Sequence, residues 1–188
     1  MGSREQTRRR ILDGAASAFA KRGYAATSME EIAATAGVSK LLLYRDFAGK
    51  RELYQAVLDR TKRRIEESVP PEATREALAA LLTAARRDPD GFVLLFRHAA
   101  REPEFAGYAE SISTEARQRC ERLLRPYEPD PVLRRWAATV AIDATYQMII
   151  SWLEYGDPQR DQEILDRVAS VSRAALSART SRTEEVPR

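Results

Sequence analysis

The side chains in this chain with chemistry to offer are cationic and hydroxylic rather than nucleophilic or metal-binding. One histidine, His98, and one cysteine, Cys120, cannot build a His/Cys zinc site within a chain, and a lone cysteine closes no intramolecular disulfide. Phosphate-loop, dinucleotide and nucleophilic-serine patterns do not occur. Carboxylates are plentiful, but they stand at helix starts or among arginines, where surface pairing accounts for them. The sequence therefore predicts no enzyme, no metal and no cofactor. What it does concentrate, within 25 residues, is a set of anion-seeking donors: Thr27, Ser28, Ser39, Lys40, Tyr44, Arg45 and Lys50, with Leu41 and Leu42 among them.

The stretch that carries them, ATSMEEIAATAGVSKLLLYRDFAGK, reads as helix, tight turn, helix. Thr27 and Ser28 suit a helix start, and Glu30 or Glu31 three residues on completes a capping box with either. Met29, Ile32, Ala33 and Ala36 follow at i, i+3, i+4 and i+7, one apolar face. Gly37 falls where that helix must stop in a left-handed turn. Val38 is expected in the core, Ser39 as the cap of a second helix, and Leu43 and Phe47 on its buried face, leaving Lys40, Leu41, Tyr44 and Arg45 on the other. Two short helices about a glycine turn form a helix-turn-helix, whose second helix enters the DNA major groove. Chemistry then divides the roles. Lys50 with Arg51 at a helix start, and the hydroxyls of Thr27, Ser28 and Tyr44, are expected on phosphates, which position without reading sequence. Base reading falls to Ser39, Lys40, Leu41, Leu42 and Arg45, where a cation can address guanine and a leucine only a thymine methyl.

Over about residues 5 to 58, the pattern TS-x-x-x-IA-x-x-AGVSK-x-x-LYR-x-F-x-x-K-x-x-L resembles the DNA-binding signature of the TetR/AcrR family of one-component transcriptional regulators. Two positions depart from it. Family members often carry small or polar residues where Leu41 and Leu42 stand, and His or Tyr in place of Asp46. The leucines predict fewer directional base contacts unless one is partly buried. Asp46, which phosphate would repel, is expected to point away or to pair with Arg45, Lys50 or another basic neighbour.

Charge agrees with the motif. Residues 1–65 hold 14 Lys+Arg against 7 Asp+Glu, while the remainder is mildly acidic, so a polyanion-binding module sits at one end of the chain. Apolar residues at 44% give ample core, and the richness in Ala, Leu, Arg and Glu favours helix. The amino terminus lacks a signal-peptide core, and the apolar run Thr139–Leu153 is interrupted by Asp143 and Gln147 and too short to span a bilayer, so a cytoplasmic protein without a membrane partner is expected.

The elements read in order as follows. A first helix over residues 4–22 buries Ile11, Leu12, Ala15, Ala16 and Phe19 and stops at Gly23. A fourth helix runs from Lys50 to about Ser68 before Pro70-Pro71. Helices over 72–87, 92–100 and from about residue 105 to Leu124 follow, with Asp88-Pro89 as punctuation. Asp130-Pro131, an acidic cap with proline at the first helical position, opens a helix to about Tyr155, and Asp157-Pro158 repeats the signal for a last one to about Ala178. The fold class is all-α, about nine helices: a three-helix head over 1–50, a connecting helix over 51–69, a larger ligand-binding and dimerisation domain over 70–178, and a disordered tail over 179–188.

The resemblance implies an effector pocket within the carboxy-terminal helices. Phe92, Phe96, His98, Tyr108, Trp136, Asp143, Tyr146 and Gln147 supply the mixture of apolar walls and polar tips that a cavity needs, and helical core explains the same aromatics. His98 fits a satisfied core or interface position better than a ligand contact. Asp143 and Gln147, four apart on an otherwise apolar helix, share a face and need partners. The resemblance also implies a four-helix dimer bundle from the last two helices, with Met148, Ile149, Trp152, Leu153, Val168, Val171 and Ala175 at the interface. A helix as apolar all round as Thr139–Leu153 must be covered on more than one side. The function expected is a homodimeric regulator bound to a palindromic operator on double-stranded DNA, most simply a repressor released by a small-molecule effector. An architectural DNA-binding dimer without effector is the alternative, and a helical enzyme a remoter one.

Overall fold

The computed structural model describes residues 2–72 and 74–177, with side chains over 4–171. The expected tail and the side chain of Ala175 lie outside the described residues. Among the described residues all regular structure is helical: α1 Gly2–Ala26, α2 Met29–Ala36, α3 Lys40–Asp46, α4 Lys50–Ser68, α5 Arg75–Arg87, α6 Pro89–Val93, α7 Ala106–Leu124, α8 Pro131–Tyr155 and α9 Asp161–Ser177. No helix among them is long and apolar enough to cross a membrane.

The chain packs as two compact units. The first takes the residues up to Ser68 together with Ala84–Ser111. There α1 packs against α2, α4 and α6. Ile11, Ala15 and Phe19 are fully enclosed with Ile32, Leu43, Leu53, Val57 and Leu58, so the stripes read from the sequence are the stripes buried. Each large apolar side chain so enclosed contributes about 1.5–3 kcal/mol. Gly23 (φ 78, ψ 170) breaks α1 where the first helix was expected to stop, with a further turn beyond it. Gly14 allows α1 and α2 to touch, since a Cβ there would lie 2.7 Å from backbone and Cβ atoms of Ala36. Val38, expected in the core, is only half-buried.

The apolar run after α5 differs from expectation. Its helix begins at Pro89 rather than Phe92, because Asp88 caps it: the carboxylate accepts the Gly91 N–H at 3.2 Å and proline takes the first position. Asp88-Pro89 is thus the same start signal as Asp130-Pro131. The run then widens into a π-helical turn, Leu94–His98, and tightens into a 3₁₀ turn, Ala99–Arg101, ahead of Pro103.

The second unit takes Val69–Thr83 and the residues from Ile112 onward. Its α8 lies against α9, and the Trp152 indole donates to Asp161 at the start of α9 (2.6 Å). Arg75 reaches Asp166 at 2.8 Å. Ala137, Ala138, Ala141, Tyr146, Ile149 and Ile150 form the buried side of α8. Over the first three turns of α8, Val132, Leu133, Trp136 and Val140 are exposed.

Candidate nucleic-acid interface

The presented helix, α3, has only seven residues and owes its position to its neighbours. Ser28 and Glu31 form the reciprocal capping box at the start of α2: Ser28 Oγ accepts the Glu31 N–H at 3.2 Å, and the Glu31 carboxylate accepts the Ser28 N–H at 2.9 Å. Arg22 pairs with the same carboxylate at 2.6 Å. Gly37 stands in the left-handed region (φ 62, ψ 41), and its N–H and that of Val38 return to the carbonyls of Ala34 and Ala33. A guanidinium from α1 closes the turn, since Arg10 Nη2 donates to the Ala36 and Gly37 carbonyls at 3.1 and 2.8 Å. Ser39 then caps α3 by accepting the Leu42 N–H at 3.2 Å. Leu43 and Phe47 anchor the helix from below, with the Arg8 guanidinium 4.5 Å above the Phe47 ring.

The outward face carries Lys40, Leu41, Tyr44 and Arg45, all exposed, with Leu41 at 83%. Lys40 pairs with Glu30 across the turn. Leu42 is half-buried, the partial burial under which two adjacent leucines make sense on this helix. Ser39 is exposed and spent as a cap, and Ser28 is half-buried and spent likewise.

Three residues that sequence chemistry assigned to phosphate have partners within the chain: Thr27 is buried, Lys50 half-buried and Arg51 exposed. Thr27 is 2% exposed, and its hydroxyl donates to the Gly23 carbonyl at 2.7 Å and the Ala18 carbonyl at 3.4 Å, so it closes the kink in α1. Lys50 Nζ donates to the Tyr24 and Ala25 carbonyls at 2.8 and 3.2 Å and stands 4.7 Å from the Tyr24 ring centre. Arg51 pairs with Glu104. Asp46, by contrast, lies as expected against basic groups: its side chain is 2% exposed, 3.3 Å from Arg45 and 3.7 Å from Arg4.

The amino-terminal portion matches, over residues 11–57, the family described as bacterial regulatory proteins, tetR family. The matched residues are those of the helix-turn-helix and the helices that flank it. It is 35% identical over 123 residues to the HTH-type transcriptional activator FasR of Mycolicibacterium smegmatis, across 60% of this chain and 56% of FasR, so it spans about half the length of that relative. In fold it is similar to a TetR-like regulator from Rhodococcus sp. RHA1, with TM-score 0.79 and 24% identity over 95% of this chain and 98% of the other. A similar fold is that of AibR, solved with isovaleryl coenzyme A and operator DNA: TM-score 0.62, 22% identity, 88% of this chain and 97% of that one.

The remaining expected site residues are divided between the two units. Phe92, Phe96, His98 and Tyr108 belong to the first unit, and Trp136, Asp143, Tyr146 and Gln147 to the second. Phe92 and Phe96 are buried core, their rings 4.7 Å apart. His98 is half-buried, and burial beside Arg97 and Arg101 lowers its imidazole pKa. Tyr146 is buried, which pushes its phenol up to about 12. Trp136 is 60% exposed. Asp143 and Gln147 do share a face, but it is open to solvent, and Asp143 pairs with Arg117 at 2.8 Å. An open cleft of ≈ 440 Å³ in the first unit is lined by Arg9, Asp13, Arg64, Arg87, Asp88 and Asp90 among others, none of them an expected ligand residue.

For the interface set, Ile149 (1%) and Val168 (2%) are already enclosed within their own chain and have no surface left for a partner. Met148, Trp152 and Leu153 are half-buried, and Val171 is exposed. Sequence reading missed the structural polar groups. Arg10 and Arg60 leave no periodic signal, because each acts across helices rather than along one, and the same holds for the contacts of Asp88 to Thr61 and Arg64.

Proposed function

We propose that this chain is a DNA-binding transcriptional regulator of the TetR family: a cytoplasmic homodimer that holds a palindromic operator and is released from it by a small-molecule effector. One observation carries the reading. A short helix, fixed by a left-handed turn, two serine caps and an arginine clamp, presents Lys40, Leu41, Tyr44 and Arg45 outward. That is the requirement for a helix entering a groove.

In this reading residues 1–50 are the DNA-binding head, 51–69 the connecting helix and 70–178 the effector-binding and dimerisation body. The exposed apolar stripe Val132, Leu133, Trp136 and Val140 supports a subunit contact, because the first turns of α8 leave it uncovered in one chain. A two-fold pair sets two recognition helices about 34–36 Å apart. That AibR has been solved with both a coenzyme A thioester and operator DNA supports an effector acting on operator affinity, here through preferential binding to one placement of the heads. No enzymatic step belongs to it.

The test is selection from random duplexes by the purified chain at two salt concentrations. An enriched palindrome whose affinity falls steeply with salt is expected, each neutralised phosphate adding about −0.9 to the log–log slope. Absence of any enriched sequence overturns the proposal.

A further inference from the structure

Asp46 occupies a position hostile to a carboxylate. It is the last residue of α3, where the helix dipole disfavours negative charge, on an element that must approach phosphates. The structure removes it from both. Its side chain is 2% exposed, and Oδ1 accepts the Nε–H of Arg45 at 3.3 Å and lies 3.7 Å from Nη2 of Arg4. Oδ2 is buried with no donor among the described residues, so the carboxylate's compensation comes through these two guanidiniums. Arg4 is 79% exposed and not within hydrogen-bonding distance, so the specific contact is with Arg45.

A guanidinium is a rigid planar fork with five N–H donors. In Arg45 the Nε edge is engaged on the protein side while 55% of the side chain stays exposed. The engaged Nε restrains the guanidinium plane, and the terminal nitrogens take no part in that contact. Those nitrogens are the ones suited to O6 and N7 of guanine. We propose that Asp46 is a specificity-positioning residue, clamping Arg45 through Nε so that its terminal nitrogens read one guanine in each half-site. The proposal rests on the DNA-binding reading above. It also gives Asp46 a reason to stand where a neutral or basic residue would suit phosphate better.

The experiment uses the full-length chain and its selected operator, with each G·C pair of a half-site replaced in turn. Affinities are compared for the wild type, Asp46→Ala, Asp46→Asn, Arg45→Lys, Arg45→Ala and the double alanine variant, at two salt concentrations. At one guanine the wild type should discriminate between about 5-fold and about 150-fold. Arg45→Ala and Arg45→Lys should abolish most of that preference. Asp46→Ala should lower it at least threefold at the same base pair only, leaving other positions and the salt slope unchanged, and the double variant should lose no more than Arg45→Ala. Asp46→Asn keeps an oxygen acceptor for Nε–H and should fall between wild type and Asp46→Ala. If Asp46→Ala does not fold, the Asn and Lys variants carry the comparison. The clamp is refuted when the Asp46 variants weaken all sequences alike, or leave the base profile intact, while the wild type still selects an operator. A wild type that selects no operator brings down the functional reading, and this inference with it.

Discussion

Asp88 offers the sharpest test of how the first unit is held. Its carboxylate is nearly buried and serves three helices. It caps α6, accepts the Thr61 hydroxyl at 3.1 Å and the Arg64 guanidinium at 2.8 Å, and lies 3.4 Å from Arg60 of α4, which also pairs with Asp13 of α1 at 2.5 Å. Replacement by alanine strands these partners unequally. Thr61, 2% exposed, loses its acceptor, at about 1–3 kcal/mol for a buried unpaired group. Loss of the cap adds about 1 kcal/mol. Arg60 keeps Asp13, and Arg64, with 37% of its side chain exposed, can turn to water, so the full cost of an orphaned buried charge is avoided. Together Asp88→Ala should lose about 2–4 kcal/mol. Asp88→Asn keeps an acceptor for Gly91 and Thr61 and should lose about half of that or less, since a charge-assisted bond is only about twice as strong as a neutral one. Urea unfolding followed by far-UV circular dichroism measures both. Tryptophan fluorescence, from Trp136 and Trp152 in the second unit, gives an internal comparison. An alanine variant within about 0.5 kcal/mol of wild type, or an asparagine variant as costly as alanine, would show that this carboxylate does not hold the three helices.

Gly14→Ala should drive a methyl group into the Ala36 backbone at 2.7 Å, lowering stability by about 1–3 kcal/mol as overpacking does, and a neutral outcome in a thermal melt would show that α2 yields freely. Lys50→Met removes a donor to the last carbonyls of α1 rather than a phosphate contact, so the urea midpoint should fall while the salt slope of operator binding stays within error; a slope smaller by about one would restore Lys50 to the DNA. His98 is harder to protonate in the folded chain than in the unfolded one, where its ordinary value is 6.5, because burial and then Arg97 and Arg101 disfavour the charge. The unfolded state therefore takes up the proton first, and stability is complete above that value and declines as pH falls below it. His98→Gln should flatten the decline between about pH 7 and 5.5 relative to wild type in paired urea titrations, and identical slopes would contradict the burial argument.

The helix-turn-helix was legible in the sequence because every part of it is local. Ser28 and Glu31 stand three apart, the buried face of α2 recurs at helical spacing, and Gly37 is placed where only a left-handed turn will do. The helix start at Asp130-Pro131 was legible for the same reason, whereas Asp157-Pro158 opens a 3₁₀ turn, Pro158–Arg160, and α9 follows from Asp161. Asp88-Pro89 carries an identical signal but reads as punctuation, because the carboxylate's wider role depends on Thr61 and Arg64, some 25 residues away in the chain. The same limit explains Thr27 and Lys50. Residue type and position allow a phosphate contact, and only the folded chain shows that the carbonyls left by the break at Gly23 and by the end of α1 claim those donors first. The apolar circumference of α8 was read correctly as composition. Which side its own chain covers is a property of packing with α9, and the covered side takes Ile149 while Trp136 stays open.

Net charge overstates what this head can give to DNA. The +7 over residues 1–65 counts cations that the fold has already assigned. Arg10 closes the turn, Arg22 supports the cap of α2, Arg8 covers Phe47, Lys50 completes α1, Arg51 meets Glu104, and Arg60 and Arg64 hold Asp88. These interactions fix the angle at which α3 is presented, and a guanidinium spent on a carbonyl or a carboxylate is not a phosphate contact. Affinity for a polyanion follows the phosphates neutralised, not the lysines and arginines counted. In this chain basic residues are as much scaffold as ligand. On the proposed DNA-binding reading, specificity rests on the short outward face of α3, where Arg45 donates its Nε–H to Asp46.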